Sequence, residues 1–247
     1  MKKILKVIPI ILIIFLLVLF IDFKELQTSF YRTLIEEQRY ILIIRGLTST
    51  LIISFLSIIL GSILGLILCI FRKYKLTKFI IKLLQGIPIT VLLLIFYYVI
   101  FATINIDPII VAIITFSIYF SAYIAEVFRA SLDSINPTQI ISSYSLGFSK
   151  KETLKYIILP QALSFAIPTF KNEAVSLIKL TSIAGFISIM DLTKASDIIR
   201  NRTYEAFFPL IVTAIIYFLI CLLFSYILDC FYKKINPRNY KRGDDKC

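Results

Sequence analysis

Five polar side chains, Thr169, Asn172, Ser176, Lys179 and Ser182, recur at spacings of 3, 4, 3 and 3 in an unusually polar stretch of an apolar run. On a helix they fall broadly on one side. Their chemistry is binding: hydroxyl, carboxamide and ammonium groups make hydrogen bonds and meet charge. A lysine near the middle of a bilayer costs roughly 2.5–3.5 kcal/mol on insertion scales, so this side must face protein or a water-filled cavity. Two readings stay open. One is a translocation path in which Asn172 and Lys179 meet the solute; the other is interhelical hydrogen bonds that hold a bundle or a dimer. Lys179 could also serve at a gate. The chain has no His at all, and Cys69, Cys221, Cys230 and Cys247 lack metal-type spacing. Zinc sites and Ser-His or Cys-His catalysis are therefore not expected. Nor is there a G-x-x-x-x-G-K-[ST] loop to cradle phosphates, so any nucleotide that powers this chain is bound by another one.

The second constellation lies between apolar runs, from Gln139 to Pro160. Asn136-Pro137-Thr138-Gln139 is a helix start, with Asn136 as cap, Pro137 in the first position and Gln139 where a capping-box partner belongs. Gly147 is a natural left-handed stop. Ser149-Lys150-Lys151-Glu152 opens a second helix with another capping box, and Pro160 ends it or marks the next bend. The pattern predicts two short helices joined by a Gly turn over 136–160. An ordinary connecting loop is one reading; a rigid element that docks a soluble partner is the other. Glu126 and Arg129, three apart at the end of an apolar run, are most simply a structural pair, with a coupling role as the alternative.

Long apolar segments must position these groups. The chain is 59% hydrophobic with mean hydropathy +0.89, against about 45–50% apolar in soluble domains. It reads as an all-α integral membrane protein of about six spans: Ile4 to Ile21, Ile43 to Phe71, Ile87 to Ile104, Ile109 to Phe128, Phe165 to Met190 and Phe207 to Phe231. No small-x-small cleavage site follows the first span, so it is expected to be retained rather than removed as a signal peptide. Residues 22–40 read as an external loop or surface helix, and Asp191 to Glu205 as a polar loop. Gly61 and Gly65 form a G-x-x-x-G pair, either a close-packing device or chance in an apolar run. The net charge of +12 is not a nucleic-acid signal, because the Lys and Arg cluster beside the apolar runs and no aromatic-interleaved basic patch exists. Most of them fall inside if both termini and the 136–160 hairpin are cytoplasmic.

At the hairpin the chain resembles the permease subunits of ABC importers, whose signature is Glu-Ala-Ala, three residues, Gly, nine residues, Ile, any residue, Leu-Pro. Gly147, Ile157, Leu159 and Pro160 match in register, while Ile141, Ser142 and Ser143 stand at the Glu-Ala-Ala positions. Further motifs resemble the polar-amino-acid branch. They are Gly86-Ile87-Pro88, Ala122-Tyr123-Ile124-Ala125-Glu126 through Arg129, Leu159-Pro160-Gln161-Ala162, and Pro168, Asn172 and Glu173 with Lys179-Leu180-Thr181-Ser182. The match covers about Gly46 to Tyr232. It implies a five-helix permease domain over 41–232, an extra N-terminal anchor with an external loop over 1–40 and a basic cytoplasmic tail over 233–247. It also implies a coupling hairpin whose Gln139, Ile141, Ser142, Ser143, Leu146, Gly147 and Phe148, with Ile157, Leu159 and Pro160, engage a cytoplasmic ATPase. That partner would bind ATP and Mg, leaving this chain without cofactor and without enzymatic activity. The permease would sit in the inner membrane as a homodimer or with a paralogue, and an external binding protein would deliver an amino acid. Asn172 and Lys179 could then meet the amino acid's carboxylate or polar side chain, and Pro88, Glu126 and Arg129 would be structural or gating residues. Cystine, an opine or another small solute is the alternative cargo. A self-contained channel, secondary carrier or scaffold explains the polar fifth span but not the register of the hairpin.

Overall fold

The computed structural model describes residues 23–235, all of whose regular elements are helical. The expected first span, both termini and the basic tail beyond residue 235 lie outside the described residues. The described residues open on α1 (Phe23–Phe30), the surface-helix alternative for this segment. Then come α2 (Tyr40–Ile70), α3 (Lys75–Gly86) and α4 (Ile89–Ile95), which is prolonged by a wide turn, Phe96–Ile100. Next are α5 (Pro108–Asp133), α6 (Pro137–Ser145), α7 (Lys150–Thr153) and α8 (Leu159–Leu180), and the chain closes with α9 (Leu192–Thr203) and α10 (Phe207–Ile235).

Among the described residues three helices, α2, α5 and residues Phe207–Lys233 of α10, are long and apolar enough to cross a bilayer. Two bent pairs bring the number to five if each is one span: α3 with Ile89–Ile100, bent by 104°, and Lys150–Ile187 with α9, bent by 54°. The third span is thus shorter than expected. At about 1.5 Å per residue, Ile89–Ile100 reaches well under the roughly 30 Å of a hydrocarbon core. The break has a local cause. Ile87 precedes Pro88 and is held extended at φ −95°, ψ 128°, because the proline ring disfavours helix in the residue before it. The lysine-rich stretch before it, from Lys75, is itself a helix.

Asp191 to Glu205 also departs from expectation. It is helix α9 rather than a polar loop, and it is packed rather than free. Asp191 caps it, accepting from the Thr193 and Lys194 amides at 3.1 Å each. Leu192, Ala195 and Ile199 form an apolar face buried against α2 and α10. Thr50 of α2 accepts a hydrogen bond from the Leu192 amide at 3.1 Å.

The core lies where α2 crosses α5. A Cβ on Gly61 would stand 2.8 Å from the Ser117 carbonyl oxygen, and one on Gly65 would stand 2.9 Å from Ile124. The G-x-x-x-G pair is therefore a close-packing device: Phe116, Phe120 and Ile124 fill the seam it opens. Ser57 adds a hydrogen bond to the Ile113 carbonyl across it at 3.3 Å. Because Ser117 offers backbone there, it cannot yield as a side chain would. Gly61→Ala is expected to cost about 1–3 kcal/mol by overpacking. Gly86→Ala meets open space and is expected to be neutral; comparing the thermal unfolding of the two purified variants checks this.

Candidate functional site

Two regions carry the candidate residues, the hairpin at the base of α8 and a polar face on α8. In the hairpin, the Asn136 carboxamide oxygen accepts from the Thr138 amide at 2.9 Å, and Pro137 takes the first position of α6. Gly147 sits at φ +85°. Around it the Phe148 amide donates to the Ser143 carbonyl and the Gly147 amide to that of Tyr144, at 3.1 and 3.0 Å. This is the paired bonding of a Schellman cap. The second capping box is complete: the Ser149 amide donates to Glu152 at 2.8 Å and the Glu152 amide donates to the Ser149 hydroxyl at 3.3 Å. Hydrogen bonding from the Ser149 hydroxyl, and then from its amide, holds the Glu152 carboxyl below its ordinary range.

The first capping box is not closed as expected. The Gln139 side-chain oxygen instead accepts from Gln161 at 2.8 Å, which straps α6 to the start of α8. Pro160 also does not end the second helix. The chain runs from α7 through a wide turn, Leu154–Ile158, straight into α8. Such a turn relaxes the spacing that proline would otherwise break. The hairpin is thus built onto the base of α8.

Ser142 and Ser143 part company. Ser142 is exposed, whereas Ser143 is buried and hydrogen-bonds Thr153 at 2.9 Å, joining α6 to α7. The outer surface carries Ile141, 65% exposed, and Leu146, 78% exposed, beside the more covered Phe148. Leu159 and Pro160 are exposed and Ile157 is half-buried. Bare apolar side chains on a rigid element are the feature an interaction surface requires. Truncating Ser143 to alanine leaves the Thr153 hydroxyl buried without its partner. The expected cost is about 1–3 kcal/mol, read as faster proteolysis within the hairpin while the spans stay intact.

On α8, Thr169, Asn172, Ser176 and Lys179 are all exposed in the single chain, and Ser182 is half-buried in the tight turn Thr181–Ile187 that follows. Ala162, Ala166, Ala174, Leu177 and Ile178 face the core. The periodicity therefore marks a true face, and the fold leaves it uncovered. Beside Ser176 lies a cavity of about 270 Å³ lined by Tyr119, Tyr123 and Glu173, with Phe120, Leu177 and Leu180. The Tyr119 hydroxyl donates to that of Tyr123 at 3.0 Å. Tyr123 belongs to the Ala122-Tyr123-Ile124-Ala125-Glu126 motif and Tyr119 stands four residues before it on α5, but nothing in the sequence linked either to α8.

Glu126 and Arg129 form the expected pair at 2.6 Å. It belongs to a larger network, because Asp133 receives Arg129 at 3.0 Å and Arg72 from the end of α2 at 2.9 Å. Pro88 stands at the break before α4. A second ion pair, Lys171 to Asp229 at 2.6 Å, ties α8 to α10.

Residues 57–238 match the family model for the binding-protein-dependent transport system inner membrane component. Among similar curated proteins, a probable amino-acid ABC transporter permease, YckA, of Bacillus subtilis (strain 168) is 34% identical, covering 77% of this chain and 88% of its own. A putative glutamine transport system permease, GlnP, of Rickettsia typhi (strain ATCC VR-144 / Wilmington) is 31% identical, covering 80% and 94%. The L-cystine transport system permease TcyB of Bacillus subtilis (strain 168) is 31% identical, covering 82% and 90%. Among solved structures, one described as an amino acid ABC transporter with histidines superposes with a TM-score of 0.73 at 30% identity, over 87% of this chain and 99% of that one. The MetNI methionine ABC transporter shares the fold, with a TM-score of 0.67 at 18% identity over 78% and 96%. This chain is a multi-pass membrane protein that belongs to the family of binding-protein-dependent transport system inner membrane components.

Proposed function

We propose that this chain is the transmembrane permease subunit of an ATP-driven importer of amino acids. The observation that carries the reading is the hairpin: two capped helices fixed to the base of α8, with Ile141 and Leu146 bare at the surface. Such an element can pass a push from a docked ATPase directly into the helix that bears the polar face. ATP and Mg belong to that partner, and this chain contributes no catalytic group and holds no cofactor of its own. The termini and the hairpin are cytoplasmic, following the distribution of Lys and Arg. The uncovered face of α8 meets its equivalent on a second copy or a paralogous permease. Between them Thr169, Asn172, Ser176, Lys179 and Ser182 line a path whose donors suit an amino acid carboxylate. An external binding protein delivers the cargo. The names of the relatives support amino acids as the class, with glutamine and cystine as the first two to try.

The test is reconstitution of the full chain with its ATPase and binding protein. ATP hydrolysis stimulated by one or a few amino acids is the expected result. No stimulation across the common amino acids and cystine would sink the reading, and uptake without ATP would favour a carrier.

A further inference from the structure

The transport reading uses the basic cluster that follows α2 only as a mark of orientation. Arg72, Lys73, Lys78, Lys82 and Arg129 line a cavity of about 450 Å³, together with Glu126 and Asp133. Both carboxylates are already engaged: Glu126 by Arg129, and Asp133 by Arg129 and Arg72. Lys73, Lys78 and Lys82 have no carboxylate partner among the described residues. The cavity therefore carries uncompensated positive charge.

Helix α3 fixes the depth at which that charge sits. It has three faces. Thr77, Ile81 and Leu84 are buried in the core; Leu76, Phe79, Ile80 and Leu83 are bare; Lys75, Lys78 and Lys82 form the third side. At about 100° per residue the three sets are centred roughly a third of a turn apart. Leu76 is 68% exposed and Phe79 63%, which water would not favour. The helix is also turned by 104° from the segment that follows it. A helix turned this far from the apolar segment that follows it, with a bare apolar face and a lysine face, has the pattern of one lying along a bilayer surface. Arg72 and Lys73, at the end of the apolar α2, stand at the same level.

We infer that this cavity binds the phosphate of an anionic phospholipid headgroup. Lys73, Lys78 and Lys82 are its ligands, and the acyl chains cover Leu76, Phe79 and Leu83. Basic pockets between spans suit such headgroups. Free phosphate shares the charge chemistry but would leave the apolar face bare, so the lipid accounts for both halves of the site.

The experiment places the full chain in phosphatidylcholine vesicles containing traces of spin-labelled phosphatidylglycerol or spin-labelled phosphatidylcholine, and compares the motionally restricted fractions. The expected result is a preference for phosphatidylglycerol of at least about fivefold, the order that a single lysine near a charged surface supplies. In the Lys78→Gln/Lys82→Gln variant it falls towards parity. A Lys150→Gln/Lys151→Gln variant, which removes equal charge from the hairpin, retains it. Millimolar inorganic phosphate at constant ionic strength leaves the wild-type preference unchanged. Absence of a preference in the wild type, equal loss in both variants, or displacement by inorganic phosphate would each overturn the assignment. So would loss of the preference when the ATPase is bound, since the lysines would then belong to a protein partner.

Discussion

Replacing Gly147 with valine is expected to lower substrate-stimulated ATP hydrolysis by about an order of magnitude while the protein still inserts and folds. The residue sits at φ +85° and a Cβ there meets nothing within 4 Å, so the penalty is conformational alone. A β-branched residue forced into the left-handed region costs of the order of 1–3 kcal/mol, and each 1.4 kcal/mol is tenfold in an equilibrium. The hairpin relieves the strain by giving up the bonds from Phe148 and Gly147 to Ser143 and Tyr144, which frees α6 from α7. The spans do not depend on those bonds, since the α2–α5 seam lies elsewhere. A graded series makes the cause visible. Gly147→Asn tolerates the left-handed region and should stay near wild type, Gly147→Ala should fall between, and Gly147→Pro, whose φ is fixed near −65°, should abolish stimulation. ATPase assays on reconstituted complexes, with retention of the ATPase on the purified permease, read the effect. Equal activity across the series would remove the hairpin from the coupling path.

The hairpin was legible in the sequence because its instructions are local. Asn136, Pro137, Gly147, Ser149 and Glu152 each act within a few residues, and the geometry each implies is present. Gln139 misled because a glutamine three residues after a cap has two possible partners, and the stronger one, Gln161, is far along the chain. Helix α9 was missed because Lys194, Asp197, Arg200 and Arg202 dominate its composition. Its buried face is carried by only Leu192, Ala195 and Ile199 with small polar residues, which no hydropathy reading separates from a loop. The lysines of α3 read as charge for orientation, and their helical spacing went unused. Tyr119 and Tyr123 counted as apolar residues in a span, and only the packing of α5 against α8 brings them beside Glu173 and Ser176. The periodicity of the α8 face was readable; its lack of cover is a tertiary fact.

That lack of cover decides what Lys179 does. Lys179→Met keeps the length of the stem and removes the charge. Lys179 is exposed and makes no ion pair among the described residues, so the single chain should lose no stability. Unfolding of the isolated subunit should be unchanged or slightly improved, because an ammonium in an apolar span is costly. If Lys179 meets a carboxylate on the cargo, losing that charge-assisted hydrogen bond, worth about 1.5–3 kcal/mol, weakens uptake by roughly 10- to 150-fold. The loss should fall on the substrate concentration needed for half-maximal stimulation, and basal ATP hydrolysis should stay the same. Asn172→Leu should act in the same direction with a smaller effect, as befits a neutral group. If the face instead glues two permeases together, both variants dissociate the dimer and basal hydrolysis falls with it. Measuring oligomeric state and half-maximal concentration on the same preparation therefore separates path from interface. A variant that stays dimeric and needs no more substrate than wild type would remove Lys179 from the path.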